Sequence, residues 1–443
     1  MISDPQTSAA QQTSEDRCVH LGLLFVLLAV LSRVIRYART PLVAFGGTGG
    51  SAWDIEVSKI LLLLPFGMAV IHLLLHPRER LIRIDEGLKI LSLLLGFGVL
   101  SVLWALYPRA VTLWTLNTML YFSVYFIIVL FTVRWHDLQP WGYMFLCMSF
   151  ALAAMAGHEM LLFGQVKGFA GPGGGPYTGI YGRWTTMAFP FVVHYLLYGR
   201  NRLENIAGYA GVFSCLLTIG LSTRRAPLLA LPIILVTYLV VLRRRRRQLL
   251  LVGGLMVAGM ALVIITNATY RQRVSSMFTL AGTSLLQNEE LSQRFINLLA
   301  GANATRDHLL LGVGAGSFKP WSEDVFGTYR PINPHNLTLY LTANLGVVGL
   351  GIFIAFVASV WRRMRRAVDI CLQSNDLRTA SFVASVFASF IGMLFYSQFQ
   401  PFFHSTNLYI VAALGSATLA IVQQRYGNCP RSAQWRDEAS AAC

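Results

Sequence analysis

The residues best suited to chemistry are three arginines and a histidine in the polar stretches of an otherwise apolar chain. Arg224 and Arg225 lie between two apolar runs, within Ser222-Thr223-Arg224-Arg225-Ala226-Pro227. A guanidinium stays charged at any relevant pH and binds phosphate as a bidentate fork. Charge close to lipid is costly and usually faces a cavity and a partner, which points to an anion site. The other reading is a pair of arginines snorkelling to headgroup phosphates. Arg294 lies in Leu291-Ser292-Gln293-Arg294-Phe295-Ile296-Asn297-Leu298-Leu299, whose periodicity is helical. Taken alone it fits a solvated helix face; taken with Arg224 it becomes a second phosphate ligand. His335 stands between Pro334 and Asn336, at the mouth of an apolar run. The proline fixes the approach of the chain, and a helix N-terminus lies beside the imidazole. That positive end and nearby arginines would both lower its pKa, leaving it neutral and able to accept a proton at pH 7. It fits equally a histidine satisfied by interfacial hydrogen bonds.

The elements that must hold these groups are membrane spans. The 443-residue chain is 55% hydrophobic and only 13% charged, against about a quarter charged in soluble domains. A net charge of +16 would suit nucleic acid, but most of the arginines sit in short loops between apolar runs, where they set topology. A spanning helix needs about 20 mostly apolar residues. Such runs fall near 18–36, 55–75, 87–106, 111–133, 141–163, 184–199, 205–222, 226–242, 248–266, 336–360, 379–397 and 405–423. The expected fold is an all-α polytopic membrane protein of about twelve transmembrane helices. A cytoplasmic tail 1–17 precedes helices 1–9 (18–266), a long periplasmic loop 267–335, helices 10–12 (336–423) and a cytoplasmic tail 424–443. The polar start lacks the basic n-region and cleavage site of a secretory signal, so the first span reads as retained.

Arginine placement orients the chain. Arg78, Arg80 and Arg83, then Arg134, Arg200 and Arg202, the run Arg243–Arg247, and Arg362, Arg363, Arg365 and Arg366 fall in alternate loops. That side, with both termini, is cytoplasmic. The Arg243–Arg247 run reads as a topology anchor. The opposite side, which is the periplasm if the cell has two membranes and the outside if it has one, receives the loops 37–54 and 164–183, the turn bearing Arg224, and the loop 267–335.

Other patterns carry less. Gly312-Val313-Gly314-Ala315-Gly316 resembles half of a dinucleotide fingerprint, but no βαβ unit surrounds it. The histidines form no zinc spacing, the six cysteines no C-x-x-C pair, and no D-x-D appears. Neither metal nor cofactor is expected, and a metal-dependent sugar transferase is disfavoured.

Three segments resemble the bacterial O-antigen ligase family, within the wider superfamily of O-antigen ligases and polymerases. Ser222-Thr223-Arg224-Arg225-Ala226-Pro227-Leu228-Leu229 is similar to its serine–arginine–small turn, with Arg225 as an extra arginine. Leu309-Leu310-Leu311-Gly312-Val313-Gly314-Ala315-Gly316 is similar to its glycine-rich loop, with His308 where proline is common. Pro334-His335-Asn336-Leu337, followed by Ala343-Asn344-Leu345-Gly346, is similar to its histidine–asparagine helix start. The resemblance implies an integral-membrane (GT-C type) glycosyltransferase acting in lipopolysaccharide biosynthesis. It would move O-antigen polysaccharide from undecaprenyl pyrophosphate to a sugar hydroxyl of the lipid A core, inverting the anomeric centre without metal. His335 would be the general base; Arg224, Arg294 and Arg225 would bind pyrophosphate. Arg183, Tyr177 and Asn336 are weaker candidates for lining the substrate path. The nearest rival is an O-antigen or exopolysaccharide polymerase; a rival of another class is a transporter of lipid-linked sugars. Few charges lie inside spans and no repeat of halves is evident, which disfavours transport.

Overall fold

Apolar runs of this length fold as helices, because lipid leaves no partner for backbone groups that helices satisfy internally. The computed structural model describes residues 85–163, 179–222, 225–242, 246–266, 289–325, 333–400 and 405–427, with Leu24, Leu27, Gly67, Val166, Gly327 and Phe403 as isolated positions. The described residues form helices α1 (Glu86–Leu100), α2 (Pro108–Phe131), α3 (Trp135–Phe163), α4 (Gly179–Tyr198), α5 (Arg202–Ser222), α6 (Arg225–Val241), α7 (Arg246–Thr266), α8 (Glu289–Asp307), α9 (Phe318–Asp324), α10 (Leu337–Gln373), α11 (Leu377–Tyr396) and α12 (Thr406–Tyr426). No strand occurs among them.

Among the described residues, seven segments are long and apolar enough to cross a membrane: α1 with the 3-10 turn after it, α2, α3, α5, α10, α11 and α12. The runs expected at 184–199, 226–242 and 248–266 coincide with α4, the shorter α6 and α7. The runs at 18–36 and 55–75 and both tails lie almost wholly outside the described residues. The tenth span, read from sequence as 336–360, continues as helix to Gln373. Arg362, Arg363, Arg365 and Arg366 therefore ride on a helix; its end comes at Ser374 and at Asn375, whose φ is 56°.

The helices share a buried core and have two unlike ends. At one end, Asp85 caps α1 by accepting from the Leu88 N–H at 2.7 Å and also accepts from the Tyr125 hydroxyl at 2.8 Å. Arg363 of α10 lies 3.5 Å from the same carboxylate. Arg378 pairs with Glu204 at 3.3 Å, and Arg425 pairs with Asp376 at 3.4 Å while lying over the Trp135 ring. This is the arginine-rich end. Nearer the middle, Tyr238 of α6 donates to the Pro190 carbonyl of α4 at 2.7 Å and so ties the two helices together.

At the other end, much of the segment 267–335 is folded. α8 and α9 flank the glycine-rich run, and that run fits into a break in α10. Gly346 has φ 67° and ψ −172°, a conformation open essentially to glycine alone. The break frees backbone groups that the run satisfies. Val313 N–H donates to the Ala343 carbonyl at 2.9 Å and Gly314 N–H to the Asn344 carbonyl at 3.1 Å. In return, Val347 N–H donates to the Leu309 carbonyl at 2.9 Å. A Cβ on Gly346 would collide with the Leu310 carbonyl, and one on Gly312 with the Asn344 backbone. Two of the motifs singled out in the sequence are therefore one packed unit.

Candidate functional site

The site is built up from the start of α10. Asn336 is the N-cap, with extended backbone, and its Oδ1 accepts from the Leu339 N–H at 2.9 Å. This fits the preference of asparagine for caps, where its carbonyl satisfies a donor the helix leaves over. The corner is also tied to the last turn of α11. Leu337 N–H donates to the Ser397 carbonyl at 3.0 Å, and the Thr338 hydroxyl donates to Gln398 Oε1 at 3.1 Å. His335 is half-buried, between buried Pro334 and this anchored cap.

α8 carries Arg294 to the same corner. A Cβ on Gly301 would touch Leu339 at 2.9 Å and Pro334 at 3.1 Å, and the Thr305 and Thr342 hydroxyls lie 3.0 Å apart. Residues 301 to 305 thus run beside 339 to 342 in the same direction. Arg294, half-buried, and Asn297, fully buried, precede Gly301 at the spacings that share a helix face. Two turns, or ~10.5 Å, separate Arg294 from Gly301, so Arg294 sits beyond the start of α10 on the side away from the bundle.

Three further helix ends meet here. Gly182 of α4 packs so closely on Pro227 of α6 that a Cβ would overlap the proline ring, and the same Cβ would lie 3.0 Å from the Tyr396 hydroxyl of α11. Arg183, half-buried, donates from Nη1 to Ser405 Oγ at 3.3 Å, at the N-cap of α12. The starts of α4, α6, α10 and α12 therefore lie at one end, away from the arginine-rich one. Arg183, Arg294, His335 and Asn336 share that end. Arg225 opens α6 there, with its side chain outside the described residues; Arg224 and Tyr177 lie outside them altogether.

Several groups at this end escaped the sequence reading. Glu159 of α3 is buried and accepts from the Tyr181 hydroxyl at 2.9 Å, two residues before Arg183. The signal was present, since a carboxylate inside an apolar run calls for a partner. Asn344 left no such signal. It is buried in α10, its Oδ1 accepts from the Phe318 N–H at 3.2 Å, and it holds α9 in place. α9 is also tied to the start of α2: the Tyr107 hydroxyl donates to Asp324 at 2.5 Å, and this bond, burial and the nearby carboxylates push the phenol up to about 12. Among the described residues, no three His, Cys, Asp or Glu side chains group as metal ligands would.

Comparison with known proteins bears on the same part of the chain. No curated protein matches it. A family model described as O-antigen ligase matches residues 210–354, from within α5 to just past the break in α10. That stretch contains Arg224, Arg225, Arg294 and His335, together with both halves of the packed glycine unit. Over this stretch the chain is similar to the O-antigen ligase family.

Proposed function

We propose that this protein is an O-antigen ligase. It transfers O-antigen polysaccharide from undecaprenyl pyrophosphate to a sugar hydroxyl of the lipid A core. The observation that supports this reading is the gathering of a histidine and arginines where four helices begin. Helix N-termini and guanidiniums together favour an anion such as pyrophosphate.

His335 takes the proton of the acceptor hydroxyl as its oxygen bonds to the anomeric carbon. The bond from that carbon to the pyrophosphate oxygen breaks on the opposite face, inverting the centre. Undecaprenyl pyrophosphate leaves with the bonding electrons. Arg224 and Arg294, with Arg225 beside them, hold the pyrophosphate and stabilise the charge that grows on it. The arginines fill the role of a metal ion, so no metal is needed. Arg183, Tyr177 and Asn336 line the path of the sugars. Twelve spans would place this end in the periplasm and the arginine-rich end in the cytoplasm of an inner-membrane protein.

Purified protein in liposomes, given a lipid pyrophosphate donor and lipid A core, is expected to form the joined product in the presence of a chelator. Cells lacking the protein are expected to accumulate full-length polysaccharide on the carrier lipid beside bare core. Shortened chains that are still joined to core would overturn the ligase reading in favour of a polymerase.

A further inference from the structure

Leu309, Leu310 and Leu311 are exposed one after another, with Leu310 at 65%. Three exposed leucines in a row are a defect in water unless they serve a purpose. Their neighbours are also apolar and exposed. The Leu311 carbonyl accepts from the Trp104 indole at 3.2 Å, and Leu103 beside it is 79% exposed. Leu106 N–H donates to the Val313 carbonyl at 3.4 Å. Val347, bonded through its N–H to the Leu309 carbonyl, and Val348 begin an exposed stripe that runs down α10 to Ile354.

The depth of this patch follows from α10. Arg362, exposed and paired with Glu86 at 3.3 Å, marks one membrane surface. A hydrocarbon layer of ~30 Å is crossed in about 20 residues. The opposite boundary then falls near Thr342. Gly346, against which Leu310 packs, lies about 6 Å inside it.

We propose that Leu309–Leu311 form a re-entrant segment immersed in the acyl chains of the leaflet on the His335 side. The occupant of the patch is bilayer lipid, because the patch continues the lipid-facing flanks of α1 and α10 without a break. The three leucine carbonyls need no water at this depth, since they accept from the Val347 N–H, the Val348 N–H and the Trp104 indole. The glycine-rich run is thus an anchor that fixes the height of α8 and of the start of α10 above the membrane. This inference does not depend on the reaction catalysed.

The test is spin labelling of the full chain in liposomes, with its native cysteines replaced. Nitroxides at Leu310→Cys and Leu311→Cys are compared with Leu103→Cys as the lipid-facing reference and Ala302→Cys on the exposed face of α8. Collisions with oxygen relative to a water-soluble nickel complex should match those at residue 103 and exceed those at residue 302 several-fold. Values at both 310 and 311 equal to those at 302 would overturn the proposal. The readout does not use transfer activity, so it stands apart from the test of the ligase reading.

Discussion

His335 gains its position from the residue after it. Asn336 caps α10 and, with Leu337 and Thr338, ties the corner to the end of α11, so the imidazole sits on a fixed support. His335→Ala removes the proposed base and leaves these bonds in place. Transfer in liposomes is expected to fall by ~10²–10⁴-fold, with membrane insertion and the unfolding midpoint unchanged. Asn336→Ala should behave differently: a lost cap costs ~1 kcal/mol, so the midpoint falls and transfer weakens without vanishing. Asp376 supports a prediction about pH. Burial raises its pKa, but the Thr379 N–H, the Tyr426 and Thr379 hydroxyls and Arg425 outweigh that, and the net shift is downward. The folded value then lies below the unfolded one, so the stabilisation is complete above ~4 and is lost as pH falls through the depressed folded value. Unfolding in detergent should show a falling midpoint on that acid limb, and Asp376→Asn should flatten it. At this scale the sequence was informative about local structure, since His335 stands just before the start of a helix and Arg294 within one, as their surroundings indicated. Asn344 was silent, because its partner Phe318 stands on another element and neither residue looks unusual where it stands.

The element that orders this end is the pairing of the glycine-rich run with the break in α10. Both segments were visible as motifs. Nothing in either could reveal that they touch, since the partners are exchanged backbone groups and carry no side-chain signature. The apolar pattern of α10 also runs through Gly346 as if the helix were continuous, which is why the break was illegible. The pairing predicts opposite outcomes for two glycines on one helix. Gly346→Ala meets both a positive φ and the Leu310 carbonyl, so it should destabilise strongly and loosen α8 and α9. Gly351→Ala meets nothing within 4 Å and should be neutral or stabilise by about 0.5–1 kcal/mol through helix propensity. Thermal unfolding in detergent distinguishes them. Equal effects at the two positions would mean that the break is not built into the fold.

Across the whole molecule the two ends divide the work. The arginine-rich end fixes four helices through Asp85, Tyr125, Arg363 and Ser416, and joins α5 to α11 through Glu204 and Arg378. The other end gathers the starts of α4, α6, α10 and α12 around His335. Alternating loop charge made this division legible, because arginine placement acts on topology rather than on any one contact. The height of the site was not legible, since it depends on where α10 crosses the hydrocarbon boundary. With that boundary near Thr342, His335 lies ~10 Å above it, at the outer edge of the headgroup region. In the proposed reaction a pyrophosphate held by its lipid tail would project toward that level, which would confine both reacting groups to a narrow layer before they meet. The arrangement requires the His335 end to face away from the cytoplasm. A cysteine at Lys319, on α9, should react with a membrane-impermeant maleimide in intact spheroplasts. A cysteine at Ser374, between α10 and α11, should react only after the membrane is opened. The reverse pattern would place the site on the cytoplasmic face, and the ligase reading would fail with it.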